Sequence, residues 1–192
     1  ACRSLFGGFV HWHAGTGTGQ QGDASSFAEP VPVGAVDPAM VIALVDAAPK
    51  AMPSRSAMRH TMATSPLYRA WAEACHADLR QMRDALARGD LRAVGVIAER
   101  NALGMHATML AAQPAVRYLS AGSLAVLDRV TRLREDGVLA YATLDAGPNV
   151  VVLCARSNAL DVAAALDVLG EVRSVHIAGP GPGAAVVGGE RR

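Results

Sequence analysis

The sequence predicts an α+β domain of the split βαβ kind: an antiparallel sheet with helices packed on one face. Three observations carry that expectation. Strand-length apolar runs stand at residues 40–45, 138–144, 150–155 and 172–177. Long segments with helical periodicity fill the gap between the first and second runs, and a shorter one separates the last two. The middle runs are joined by a turn of Ala146-Gly147-Pro148-Asn149, so they pair as a hairpin. Strand, helices, strand, hairpin partner, helix, strand is the order of a ferredoxin-like sheet.

The elements follow in chain order. Cys2 to Trp12 reads as a short helix, because Leu5, Phe6, Phe9 and Val10 cluster at helical spacing. Residues 14–39, rich in Gly, Thr, Ser and Pro, read as a loop. Met40 to Val45 is a strand. Ala47 to Ala57 is irregular, broken by Pro49 and Pro53. Ser65-Pro66 looks like a helix start, with Pro at the first helical position. Leu67, Trp71, Cys75, Leu79, Met82 and Leu86 then mark the helix, mostly at steps of four. Gly89-Asp90 ends that helix and caps the next, which runs from Leu91 to about Ala112. A further helix spans Ser120 to Arg134 and stops at Gly137. Strand 138–144 leads to the Asp145 turn, where Gly147 permits positive φ, Pro148 fixes φ and Asn149 tolerates the left-handed region. Strand 150–155, helix Ala159–Leu169 and strand Val172–Ile177 follow, and a Gly/Pro segment at 179–183 leads to a short apolar run at Ala184–Val187.

Bulk properties exclude several function classes. The 192 residues are 51% hydrophobic and 18% charged, which suits a folded chain with a real core. Eighteen basic against 17 acidic residues give a net charge of +1, so nucleic acid is not the expected partner. No apolar run reaches the roughly 18–20 residues that cross a bilayer, so no membrane partner is expected either. Cys2, Cys75 and Cys154 are scattered, and the odd count without a signal peptide fits a reducing cytoplasm. His11, His13, His60, His76, His106 and His176 form neither an HExxH motif nor an i, i+4 pair, and no metal site is assigned. The chain opens on Ala1 without a leader, and the expectation is the C-terminal part of something longer.

Four places invite a chemical reading. Asp145 stands where a buried strand stops; it is either a turn cap or a carboxylate held on a rigid edge and aimed at a substrate. Arg3 lies at an expected helix start, either as a surface residue or as a bidentate grip on an anion. Ser54-Arg55 leads into another helical segment, either as a plain cap with a solvated Arg or as a second anion site. Glu99 and Arg100 read as solvated helix charges, and His106 as a hydrogen-bonded histidine at the core edge. Gly15–Gly19 and Gly179–Gly183 lack the phosphate-loop pattern and its strand–loop–helix context.

Four segments taken together carry a resemblance: ACRSLFGGFVHW at 1–12, PSRSAMRHTMATSPLY at 53–68, ERNALGMHATMLAAQPAVRYL at 99–119 and DAGPNVVVL at 145–153. In this order and spacing they resemble the C-terminal half of the diphosphomevalonate decarboxylases, members of the GHMP kinase superfamily. The resemblance implies ATP-dependent decarboxylation of mevalonate 5-diphosphate to isopentenyl diphosphate, ADP, phosphate and CO2, with Mg2+. It implies that Asp145 sits beside the tertiary hydroxyl of the substrate and that Arg3 grips its carboxylate. It implies that Ser54 and Arg55 bind the substrate near its phosphoryl groups, with Met58 as a wall. A homodimer is also implied. The sequence departs from the family at Ala57, where Gly is usual, and at His13-Ala14-Gly15, where a longer charged segment is usual. The family's phosphate loop belongs to the N-terminal half, so this chain lacks most of an ATP site and is expected to be inactive alone.

The expected domains are therefore 1–39, a remnant of the N-terminal GHMP domain, and 40–192, the substrate-side domain. A sister enzyme of the same fold, a phosphomevalonate decarboxylase or a mevalonate 3-kinase, is the first alternative. A non-catalytic GHMP-like binding domain is the second.

Overall fold

The computed structural model describes residues 5–48 and 52–185. These fall into two compact units, one of residues 5–33 with 180–185, the other of residues 34–48 with 52–179.

The smaller unit is a two-stranded ribbon. β1 (Val10–Trp12) pairs antiparallel with β2 (Ala28–Pro30), and α1 (Gly19–Ser25) lies in the connection. Bonds from His13 N to Phe27 O and from Val31 N to Phe9 O extend the ladder at both ends. This corrects the expected helix of Cys2–Trp12 over its described residues, its first three lying outside them, and the expected loop over 14–39. Four apolar residues at helical spacing make too short a signal to fix the period, and Gly8, at φ 69°, turns the chain out of any helix before β1.

The larger unit holds β3 (Pro38–Leu44), α2 (Ser54–Thr64), α3 (Tyr68–Arg88), α4 (Leu91–Leu110), α5 (Ala121–Glu135), β4 (Ala140–Thr143), β5 (Val150–Ala155), α6 (Ala159–Asp167) and β6 (Ser174–Ala178). The sheet order is β4-β5-β3-β6, antiparallel throughout. β3 and β4 thus run the same way with β5 between them, and β5 and β6 do so with β3 between them. That is the split βαβ arrangement twice over, and the fold is α+β.

Strand alternation builds the core. Ala39, Val41 and Ala43 of β3, Ala140 and Ala142 of β4, and Val150, Val152 and Cys154 of β5 are fully buried on one face. Val126 and Val130 of α5 and Val162 and Leu166 of α6 pack into the same cluster. Several helix ends follow the sequence. Gly89 ends α3 in the left-handed region at φ 69°, and the Asp90 carboxylate accepts from Ala93 N at 3.0 Å to start α4. Ser120 and Ser123 form a reciprocal cap on α5. Two starts differ. α2 begins at Ser54, because Pro53 supplies the extended N-cap rather than a break. Ser65 closes α2 and α3 begins only at Tyr68, with Pro66 and Leu67 in the turn.

α4 lies along the open edge of β4. The Glu99 carboxylate accepts from Ala142 N at 2.7 Å, and Arg134 donates both to Glu99 (2.8 Å) and to the Ala140 carbonyl (2.9 Å). An edge strand's unpaired groups are thereby satisfied by an ion pair. Glu99 is thus not the solvated helix charge expected, whereas Arg100 is exposed and pairs with Asp78. Tyr141, which points to the other side from Ala140 and Ala142, packs under Gly95, where a Cβ would run into the ring. Gly95→Ala gains about 1 kcal/mol of helix propensity and forces α4 off Tyr141 at about 1–3 kcal/mol of overpacking. The expected result is a net loss of stability, read as a lower midpoint of urea unfolding; a midpoint at or above the parent's would show that α4 does not depend on that close approach.

Candidate active site

The turn from Asp145 to Asn149 is hydrogen-bonded to three other parts of the larger unit. Two side chains from other elements hold its backbone, and one of its own reaches out to the chain just beyond β3. Asn149 Oδ1 accepts from Val45 N at 2.8 Å and Asp46 N at 3.0 Å, just beyond the last residue of β3. Ser123, fully buried at the start of α5, donates its hydroxyl to the Pro148 carbonyl at 2.6 Å. A carbonyl only accepts, so the single Ser123 proton is committed there, and Ser120 must be the donor in the 3.1 Å contact between the two hydroxyls. His106, 2% exposed on α4, meets the Asp145 carbonyl with Nε2 at 3.2 Å. The same reasoning puts the His106 proton on Nε2.

With its backbone held, the turn buries Ala146 and Gly147 and leaves Asp145 exposed. The described residues show no positive φ at Gly147 or Asn149. The turn therefore does not use the left-handed freedom expected of them. Asn149 is there for its carbonyl oxygen, which closes the end of a neighbouring strand.

Asp145 stands at the rim of a cleft of about 410 Å3, which Cys75, Asp78, Asn101 and Met105 also line. Asn101 Nδ2 donates to Asp78 at 2.9 Å and to the Cys75 sulfur at 3.2 Å, so it serves the α3–α4 contact while His106, five residues on, serves the turn. On the other side of the turn, Ala146 joins an apolar cluster with Ala57, Met109, Val116 and Tyr118, against which Met52, Met58 and Met105 pack. Ala57 is fully buried there, so its methyl is accommodated where the resemblance has Gly. Tyr118 donates to the Met52 carbonyl at 2.7 Å and ties down the approach to α2.

The other residues singled out from the sequence divide as follows. Arg3 lies outside the described residues. Ser54 and Arg55 occupy the first turn of α2, which carries no acidic residue. Arg55 is exposed and forms no ion pair among the described residues. Met58, one turn on, shares the cluster of Ala146, so the start of α2 and the Asp145 turn are built on one apolar base. Sequence reasoning missed Ser123 and the carbonyl role of Asn149. Spacing gives no signal for either, because their partners lie 25 and more than 100 residues away.

Burial holds the His106 imidazole below its ordinary pKa, against the weaker upward pull of the Asp145 and Leu144 carbonyls and of the Asp145 charge. The unfolded chain takes up this proton near pH 6.5, whereas the folded one resists it until lower pH. The stability that neutral His106 contributes is thus complete above about 6.5 and is lost as pH falls through the lowered value, at up to about 1.4 kcal/mol per pH unit. Urea unfolding between pH 7.5 and 5 should show this loss in the parent and a flatter dependence in His106→Gln; equal slopes would remove His106 from the account.

Comparison with known proteins places this geometry. The family described as mevalonate 5-diphosphate decarboxylase C-terminal domain matches residues 40–176. The diphosphomevalonate decarboxylase of Debaryomyces hansenii is 33% identical over 163 residues, 82% of this chain and 41% of that protein. The crystal structure of mevalonate diphosphate decarboxylase from Staphylococcus aureus is 31% identical, with a TM-score of 0.86 over 95% of this chain and 54% of that one. A structure of MDDEF in complex with MVAPP, AMPPCP and magnesium is 36% identical, with a TM-score of 0.85 over 95% of this chain and 55% of that one. The chain spans about half the length of these relatives. With most of the larger unit matched and a third of its residues shared with a decarboxylase across four fifths of its length, the chain belongs to the mevalonate 5-diphosphate decarboxylase C-terminal domain family.

Proposed function

We propose that this chain is the substrate-side half of an enzyme that converts mevalonate 5-diphosphate to isopentenyl diphosphate. The reaction consumes ATP, uses Mg2+, and releases ADP, phosphate and CO2. The observation that carries the reading is Asp145: an exposed carboxylate on a turn whose backbone is fixed from three sides. Functional groups on supported elements hold their aim, and such support is what a positioned acceptor needs.

The chemistry assigns Asp145 one task in two stages. The 3-hydroxyl of the substrate is tertiary and a poor nucleophile. Asp145 orients it and accepts its proton as the oxygen takes the phosphoryl group. When phosphate and CO2 then leave, positive charge develops at the tertiary carbon and the same side of the site favours it. The substrate is a polyanion with a carboxylate at one end and a diphosphate at the other. Arg3 is assigned to the carboxylate, Ser54 and Arg55 to the phosphoryl end, and Met58 to the wall between. A helix start with Ser54 and exposed Arg55, and without an acidic residue, suits phosphate oxygens. ATP supplies the phosphoryl group and Mg2+ neutralises its charge, and most of the residues that hold them are assigned to the N-terminal half. The related complex with MVAPP, AMPPCP and magnesium supports this set of ligands. The reading extends to a homodimer in the cytoplasm. Free Cys75 and Cys154, the latter pushed up to about 11 by burial, suit a reducing compartment. No helix among the described residues is long and apolar enough to cross a membrane.

The test uses the protein that carries this chain together with its N-terminal half, given ATP, Mg2+ and mevalonate 5-diphosphate. CO2 and isopentenyl diphosphate should appear in equal amounts. Asp145→Asn should lower the rate by roughly 10²–10⁴ while substrate binding stays nearly intact. A variant within a few-fold of the parent would return Asp145 to the role of a turn cap.

A further inference from the structure

His11 and His13 fit no helical pair and no known metal motif, but His11 stands on a strand. The correction of residues 10–12 from helix to strand changes the geometry. In a strand, residues i and i+2 share a face. His11 and His13 therefore point the same way, and the ribbon register sets Glu29 directly opposite His11. The three side chains meet. His13 Nε2 lies 2.9 Å from Glu29 Oε1, and His11 Nδ1 lies 3.9 Å from the same oxygen. One ligand atom from each of the three falls within 4.8 Å of the other two. The two imidazole centroids are 4.1 Å apart, and His13 stacks on Phe27 at 4.3 Å, which fixes its ring.

We propose that His11, His13 and Glu29 bind a divalent transition-metal ion that clasps β1 to β2. An ion about 2.0–2.2 Å from each donor sets neighbouring donors roughly 3.3 Å apart in a tetrahedron. The observed 2.9 and 3.9 Å bracket that spacing, so small side-chain rotations suffice. Two neutral imidazoles and one carboxylate suit Zn2+, Ni2+ or Cu2+ and disfavour Mg2+ and Ca2+, which take oxygen donors. His13 and Glu29 are partly open to solvent, which leaves a fourth position for water. The role is structural. A ribbon of three residues a side is marginal by itself, and an ion that binds only the paired form adds its binding free energy to pairing. The inference stands apart from the reading of Asp145, which lies in the other unit.

The test is calorimetric titration of the chain with ZnCl2 in the presence of millimolar Mg2+. One Zn2+ should bind per chain, undisturbed by Mg2+. Glu29→Gln and His13→Gln should each weaken binding at least tenfold, and His76→Gln, on the exposed side of α3, should leave it unchanged. Zn2+ should raise the melting temperature of the parent but not of the two variants. Because a variant could lose the ribbon itself, the unsubstituted chain is also titrated under NMR; the imidazole signals of His11 and His13 should move together, with those of His60 and His76 still. No binding, binding that survives both substitutions, or movement of other histidines instead would leave the cluster as a hydrogen-bonded ion pair and overturn the proposal.

Discussion

Everything proposed for Asp145 depends on the backbone of residues 145–149 being held still by side-chain hydrogen bonds between the turn and its neighbours. A hairpin connection of this kind is ordinarily a surface loop with mobile ends. Here Asn149 closes the end of β3, Ser123 reaches in from α5 and His106 from α4. Each bond contributes on the order of 1 kcal/mol net. The larger effect is asymmetric: breaking one strands a buried polar group at about 1–3 kcal/mol. The turn is therefore stiff because its alternatives are costly, and the exposed carboxylate inherits that stiffness.

The helix that supplies His106 is itself placed by the same stripe of residues. Gly95, Glu99, Ala102 and His106 follow at steps of four, three and four, which is one face of a helix. Gly95 lets α4 approach Tyr141, Glu99 takes the free N–H of Ala142, and His106 reaches the turn that follows β4. Strand edge, strand and turn are thus read by successive turns of one helix. Arg134 completes the edge from α5, so both helices that support the turn are also locked to β4.

Much of this fold was legible in the sequence, and the physical reasons differ by element. β3, β5, α4, α5 and the Gly89-Asp90 junction follow from periodicity and capping, which are local. Residues 10–12 form a strand rather than part of the expected helix, because helical and strand periods cannot be separated over four apolar residues. Asp145 was legible as a carboxylate between two buried strands, but what holds it was not. Ser123 and Asn149 look like an ordinary cap residue and an ordinary turn residue, and only the three-dimensional neighbourhood gives them second partners. Glu99 was misread for the same reason: a charge on a helix face is solvated unless an unpaired strand edge happens to lie against it. The ribbon cluster of His11, His13 and Glu29 was hidden behind the wrong secondary structure.

The rigidity of the turn is the claim on which the rest stands, and amide hydrogen exchange measures it at two atoms. The N–H groups of Val45 and Asp46 lie past the end of β3, so without Asn149 they would belong to a loop. The account predicts that both exchange as slowly as the paired amides of β3, and that Asn149→Ala releases these two while β3 stays protected. Fast exchange at Val45 and Asp46 in the parent chain, beside a protected β3, would contradict it.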